Sequence, residues 1–161
     1  MLDTIDKKLI NLLQQDSKQT TKQLSLQLNL SVTAVYERVK KLENQKVIEK
    51  YVAIVNKNKI EKSFLVFCHI KLMQHTKEYL NTFEYEVLKL EEVSECFHVS
   101  GDYDYILKVY VKDMDAYRNF VVTKLTAIKH IGSTHSPFAI EQVKKYHSNT
   151  IIKIDSFGSR I

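Results

Sequence analysis

The groups in this chain that can do chemistry gather in two short stretches. The first is SVTAVYERVKK, residues 31–41. Val32, Val35, Val39 and Leu42 recur here at spacings of three and four, so they share one buried face of a helix. Thr33, Tyr36, Glu37, Arg38, Lys40 and Lys41 fall on the other faces. A short helix with an apolar back and a polar, basic front suits insertion into a DNA major groove. Ser31, Thr33, Ala34, Tyr36 and Glu37 lie near its N-terminal half and are the candidates for base edges. Arg38, Lys40 and Lys41 are candidates for phosphates, which give affinity and salt dependence but no sequence reading. Lys22 on the preceding helix, with Lys46 or Lys50 beyond, is placed to flank the backbone. Arg38 has a second reading, as an ion-pair partner of Glu43 or Glu37.

The second stretch is Ser100-Gly101-Asp102-Tyr103-Asp104. Read alone it is a turn between two strands. Glycine there permits close backbone approach, and two neighbouring carboxylates can hold an ammonium group.

No catalytic constellation stands beside these two. The chain has no GxGxxG, Walker A or nucleophile-elbow motif. Its six histidines show no HxxxH or HExxH spacing. His69 and His98 lie near Cys68 and Cys96 in sequence, but a metal site built from them is the weaker reading. No catalytic residue, metal or cofactor is expected.

The charge is uneven. Residues 1–62 hold 12 Lys/Arg against 7 Asp/Glu, and the remainder holds 12 against 12. The whole net charge of +5 therefore lies with the first stretch, as expected of a phosphate-binding module joined to a neutral partner domain. No apolar run approaches the roughly 18 residues of a membrane span. MLDTIDKK does not look like a signal peptide. Two isolated cysteines suggest reduced thiols in a cytoplasmic protein.

The elements that must position these groups are legible in outline. Asp3 precedes a helix over 4–15, with Ile5, Leu9, Leu12 and Leu13 as its core stripe. Thr20 and Gln23 have capping-box spacing for a second helix, which ends in a tight turn at Asn29–Leu30. Ser31 caps the third, running to about Asn44. Residues 47–55 are β-branched and aromatic and read as a wing or connecting strand. The second half reads as strand 64–72, helix 76–90, strands 93–100 and 104–111, a helix from 114 to about 126, and a last strand beginning at 131. Met114, Tyr117, Val121 and Leu125 face inward on that second helix. Pro137 suggests a sheet edge or bulge. The fold class is α+β: an N-terminal (winged) helix–turn–helix followed by a ferredoxin-like βαββαβ domain. The expected domains are 1–55, a linker 56–62, a ferredoxin-like oligomerisation domain 63–150 and a tail 151–161, with 150–154 as an extra edge strand. Phe64, Phe67, Phe97 and Tyr110 cannot all point inward, so a second copy should cover the open sheet face.

Taken together, LDTIDKKLINLLQQDSKQT, LSVTAVYERVKKLENQKVIEKYVAIVN, GDYDYILKVYVKDMDAYRNFV and STHSPFAIEQVKKY resemble the Lrp/AsnC family, the feast/famine regulators, over about residues 2–147. Two family glycines are replaced, by Asn29 in the turn and by Asn44-Gln45-Lys46 before the wing. The resemblance implies a sequence-specific transcriptional regulator that binds double-stranded DNA as a dimer or higher oligomer and responds to an amino acid or related metabolite. It implies an effector site between dimers, formed with Ser100, Gly101, Asp102, Tyr103 and Asp104. On that basis Asp104 is assigned to the α-ammonium, and Ser133, Thr134 and Ser136 face the carboxylate. Two alternatives stay open: a haem-precursor (siroheme) decarboxylase of similar build, and an amino-acid-binding module that does not bind DNA.

Overall fold

The computed structural model describes residues 1–143. Within that range the chain forms two compact units, Met1–Ala53 and Ile54–Val143. The strand expected at 150–154, the tail 151–161 and anything of the last strand beyond 143 lie outside the described residues.

The first unit has three helices, α1 (Thr4–Gln15), α2 (Thr21–Leu28) and α3 (Val32–Asn44). Each begins at a side chain that accepts a free amide. Asp3 accepts from the Asp6 amide at 2.7 Å while Asp6 accepts from the Asp3 amide at 3.3 Å, a reciprocal cap. Thr20 and Gln23 repeat the device on α2. Ser31 accepts from the Ala34 amide at 3.1 Å. Asn29 ends α2 with φ 54°, a left-handed conformation that its short polar side chain tolerates. Leu9, Ile10, Leu13, Leu24, Val35 and Leu42 make the core.

Three expectations are corrected in this unit. Ile5 and Leu12 are only half-buried, and Ile10 takes the core place. Val32 is 48% exposed, because it stands in the first turn of α3, beyond the buried patch that Val35 and Leu42 define. Residues 47–55 form no strand. Lys46 takes φ 57° and the Val47 and Ile48 amides both turn back to the Leu42 carbonyl, which closes α3. Beyond that point no described neighbouring strand offers a ladder, and β-branched residues extend stably only against a partner. Tyr51, Val52, Ile54 and Val55 are left exposed.

The second unit runs β1 (Phe64–Leu72), α4 (Lys77–Val87), β2 (Val93–His98), β3 (Tyr105–Val111), α5 (Met114–Phe120) and β4 (Ile131–His135). A π-helical turn, Val121–Leu125, prolongs α5. The sheet order is β2-β3-β1-β4 with antiparallel neighbours. Alternation sets the two faces. Val66, Cys68, Ile70 and Leu72 of β1 and Tyr105, Leu107, Val109 and Val111 of β3 meet Phe83, Val87, Tyr117, Phe120 and Leu125 in the core. Met114, expected inward, is 46% exposed at the start of α5. The last strand begins at Ile131, as expected, and is short. It stops at His135, and the chain rejoins β1 in a single bridge, Val66 to Phe138, just past Pro137, which has no amide proton to donate. Phe67 and Phe97 lie on the opposite sheet face and stay exposed.

Candidate DNA interface and effector turn

The front of α3 is presented as its spacing implies. Ser31, Thr33, Tyr36, Glu37, Lys40 and Lys41 are exposed, Ala34 is half-buried, and Lys22 on α2 is exposed. Lys40 lies 5.9 Å from the Tyr36 ring centroid and 3.3 Å from Glu43. Glu43 also accepts from the Tyr51 hydroxyl at 3.1 Å. Partial desolvation of its hydroxyl end, reinforced by that carboxylate, raises the Tyr51 phenol above its ordinary value although the residue as a whole is exposed.

Arg38 departs from the ion-pair partners expected for it. It pairs with neither Glu43 nor Glu37. Its Nη1 reaches back to α1, 2.6 Å from Asp3 Oδ2 and 2.5 Å from Asp6 Oδ1. Lys41 follows it, with Nζ 3.5 Å from Asp6 Oδ2. Asp6 has no exposure at all. Its place continues the stripe of Leu9, Ile10 and Leu13 at the spacings 6, 9, 10 and 13. That spacing was the available signal, since a carboxylate on a buried stripe needs a cation. The Asp6 backbone amide, and then Arg38, hold the Asp3 carboxyl below its ordinary value. The two carboxylates raise the Arg38 guanidinium in turn.

In the second unit, Ser100, Gly101 and Asp102 are exposed. Gly101 has φ 118° with nothing within 4 Å of where a Cβ would stand, so conformation rather than crowding calls for glycine. The two carboxylates of the turn differ. Asp102 has no side-chain partner among the described residues. Asp104 is 5% exposed and already engaged. Its Oδ2 accepts from the Leu72 amide at 2.7 Å, and its Oδ1 lies 3.0 Å from His75 Nδ1. Its backbone amide donates to the Ile70 carbonyl at 2.8 Å. Asp104 thus fastens the turn to the end of β1.

Ile70 pairs with Tyr105 on one side and Thr134 on the other. The sheet therefore brings the 100–104 turn and β4 to the same end, two strand spacings or about 10 Å apart. Ser133 and Thr134 are exposed there. Ser136 is not available in the same way. Its hydroxyl oxygen accepts from the Tyr117 hydroxyl at 2.6 Å and lies 3.5 Å from Cys68 Sγ. Burial and the Cys68 sulfur push the Tyr117 phenol well above its ordinary value.

Sequence spacing did not reveal His75, or the ring cluster of His69, Tyr103 and His135. Centroids in that cluster lie 4.9 Å apart for His69–Tyr103 and 5.7 Å for His69–His135. Cross-strand register makes the histidine pair, and only the fold supplies register. Cys68 and His69 point to opposite sheet faces, so the four residues weighed for a metal do not converge. Among the described residues no group of three or more His, Cys, Asp or Glu is arranged to hold a metal ion. No described helix is long and apolar enough to cross a membrane.

A capped helix–turn–helix with a basic front, followed by a ferredoxin-like domain carrying an exposed glycine–carboxylate turn, defines a two-domain DNA-binding regulator. Residues 2–49 match the family model for a winged helix-turn-helix DNA-binding domain, and residues 65–148 match that of the Lrp/AsnC ligand-binding domain. The leucine-responsive regulatory protein of Escherichia coli K12 is 38% identical over 151 residues, covering 94% of this chain and 91% of that one. An AsnC-family regulator from Agrobacterium tumefaciens superposes with a TM-score of 0.88 at 34% identity, over 92% of this chain and 96% of the other. A Neisseria meningitidis transcriptional regulator solved with L-Met superposes at 0.89 with 27% identity and the same coverage. The chain belongs to the Lrp/AsnC family of DNA-binding transcriptional regulators.

Proposed function

We propose that this regulator binds an α-amino acid at the 100–104 turn and that occupancy alters how its oligomer holds DNA. The observation that carries the reading is the pairing of an exposed, glycine-opened turn with the exposed Ser133 and Thr134 at one end of the sheet. The Neisseria relative, solved with L-Met, supports an amino-acid ligand. Asp102, which has no partner among the described residues, takes the α-ammonium, and Asp104 holds the turn in shape. Amides near Gly101 and the two hydroxyls face the ligand carboxylate. On the DNA side, Ser31, Thr33, Ala34, Tyr36 and Glu37 read bases, while Lys22 and Lys40 meet phosphates.

A second copy covers the sheet face that exposes Phe67 and Phe97. Two recognition helices then meet half-sites about 34–36 Å apart, or a multiple of that. The protein acts as a regulator rather than an enzyme, in keeping with the name of its Escherichia coli relative, and its two free cysteines support a reducing, cytoplasmic setting. For the ligand to switch anything, it must prefer one oligomeric arrangement over another.

Selection of bound fragments from random DNA, with and without a panel of amino acids, tests the whole reading. One amino acid should change affinity or assembly in the wild type, and Asp102→Ala should abolish that response while DNA binding without ligand persists. A response that survives in Asp102→Ala removes this carboxylate from the site.

A further inference from the structure

We infer that Arg38 is a positioning residue rather than a phosphate contact: with Asp3 and Asp6 it forms a charge clamp that sets the orientation of the recognition helix α3 on α1, and Lys41 completes it. The inference rests on DNA reading by α3 and adds what aims it.

A single guanidinium nitrogen bridges two carboxylates, at 2.6 and 2.5 Å, across 35 and 32 residues of sequence. Asp6 is wholly enclosed and both its oxygens are used. Oδ1 takes Arg38, while Oδ2 takes the Asp3 amide at 3.3 Å and Lys41 at 3.5 Å. If Arg38 turned outward to a phosphate, Asp6 would lose its short cationic partner and keep only the long one. A buried carboxylate without a close counter-charge is costly.

The apolar contacts of Val35 and Leu42 set how deeply α3 sits, but hydrophobic contact is non-directional and leaves roll about the helix axis weakly defined. Charge-assisted hydrogen bonds are directional. Arg38 and Lys41 are one turn apart, on the flank between the buried back and the exposed front. Tying that flank to α1 fixes the direction in which Thr33, Tyr36 and Glu37 point.

The full-length dimer is tested on two probes: a duplex that the wild type selects from a random pool, and a mixed-sequence duplex. Affinity is measured against salt for Arg38→Lys, Arg38→Met and Asp3→Asn, with Asp16→Asn as the control for long-range charge. Lysine keeps the charge but reaches one bond less far, so it serves a phosphate and fails the bridge. The clamp predicts that Arg38→Lys binds the selected duplex about tenfold more weakly. Its log–log salt slope should be unchanged and its selected-to-mixed affinity ratio lower. Mere loss of folded protein would lower both affinities together and leave that ratio intact.

Asp3 is half-exposed at the surface, so its variant folds even if Arg38→Met does not. The clamp predicts that Asp3→Asn reads the selected duplex less well than Asp16→Asn does. A phosphate contact predicts the opposite sign, because removing a competing carboxylate frees the arginine. Tighter binding by Asp3→Asn than by the control overturns the clamp. So does a slope shallower by about 0.9 in Arg38→Met, or an unchanged ratio in Arg38→Lys. Failure of the wild type itself to bind any duplex would instead remove the DNA reading of this helix.

Discussion

Each unit of this protein encloses one aspartate beside its working surface, and the two are satisfied by different means. Asp6 in the first unit is met chiefly by side-chain cations, Arg38 and Lys41, beside one longer contact from the Asp3 amide at 3.3 Å. Asp104 in the second is met by a backbone amide, that of Leu72, and by the half-ring contact of His75, whose side chain is 67% exposed. The first arrangement joins two helices whose interior backbone groups are bonded within each helix, so side chains must supply the directional contact between them. The second sits where a strand ends and a spare amide is at hand. A helical unit is therefore aligned by charge and a sheet unit by main-chain hydrogen bonding. The two surfaces should respond differently to mutation and to acid.

The largest expected effect is that of Asp6→Ala. It takes from Arg38 its enclosed partner, leaves it only the half-exposed Asp3 carboxylate, and should lower stability by about 2–3 kcal/mol, read as a fall in the chemical denaturation midpoint. A loss under half that size would mean water already carries much of the charge and would weaken the contrast. Asp104→Ala should cost less, about 1–2 kcal/mol, for one orphaned amide. Hydrogen exchange at the Leu72 amide would localise it, rising in the variant and staying slow in His75→Ala. Equal exchange in both variants would give His75 the main role and overturn the main-chain assignment.

The smallest effect is that of pH. The Asp3 carboxyl is depressed in the folded state by the Asp6 amide and then by Arg38. A depressed acid stabilises the fold fully above its unfolded value and loses that contribution as pH falls through the folded one. The clamp's share should therefore be intact at neutral pH and fade only below the ordinary 3.8. Asp3→Asn should flatten that limb of the stability curve. A limb unchanged in Asp3→Asn would show that this group does not titrate with folding.

The sequence makes the scaffold plain and the engagement of its polar groups obscure. Capping residues and apolar spacing locate α1, α2 and α3, because both signals act within one turn of the chain. β1 is legible from a run of nine strand-forming residues. The conformation of residues 47–55 is not, since they have strand propensity but no described partner, and pairing is a property of two segments. The same reason hides the partners of Arg38, Asp104 and Ser136. Arg38 finds its partners on α1, Asp104 finds its own on β1 and at His75, and Ser136 meets Tyr117. Local charge suggested Glu37 and Glu43 for Arg38. Those carboxylates lie on α3 itself, whereas Asp6 lies on the buried stripe of another helix. A position read as a free ligand group from composition can thus be consumed by the fold.

Because α3 is gripped along its back and flank, the side chains on its front carry little of the unit's folding. Thr33, Tyr36 and Glu37 are all exposed. Duplicated descendants of such a chain can exchange those letters and drift toward new operators while inheriting an intact chassis. Divergence in target choice then proceeds by single substitutions, each arriving in a molecule that still holds together.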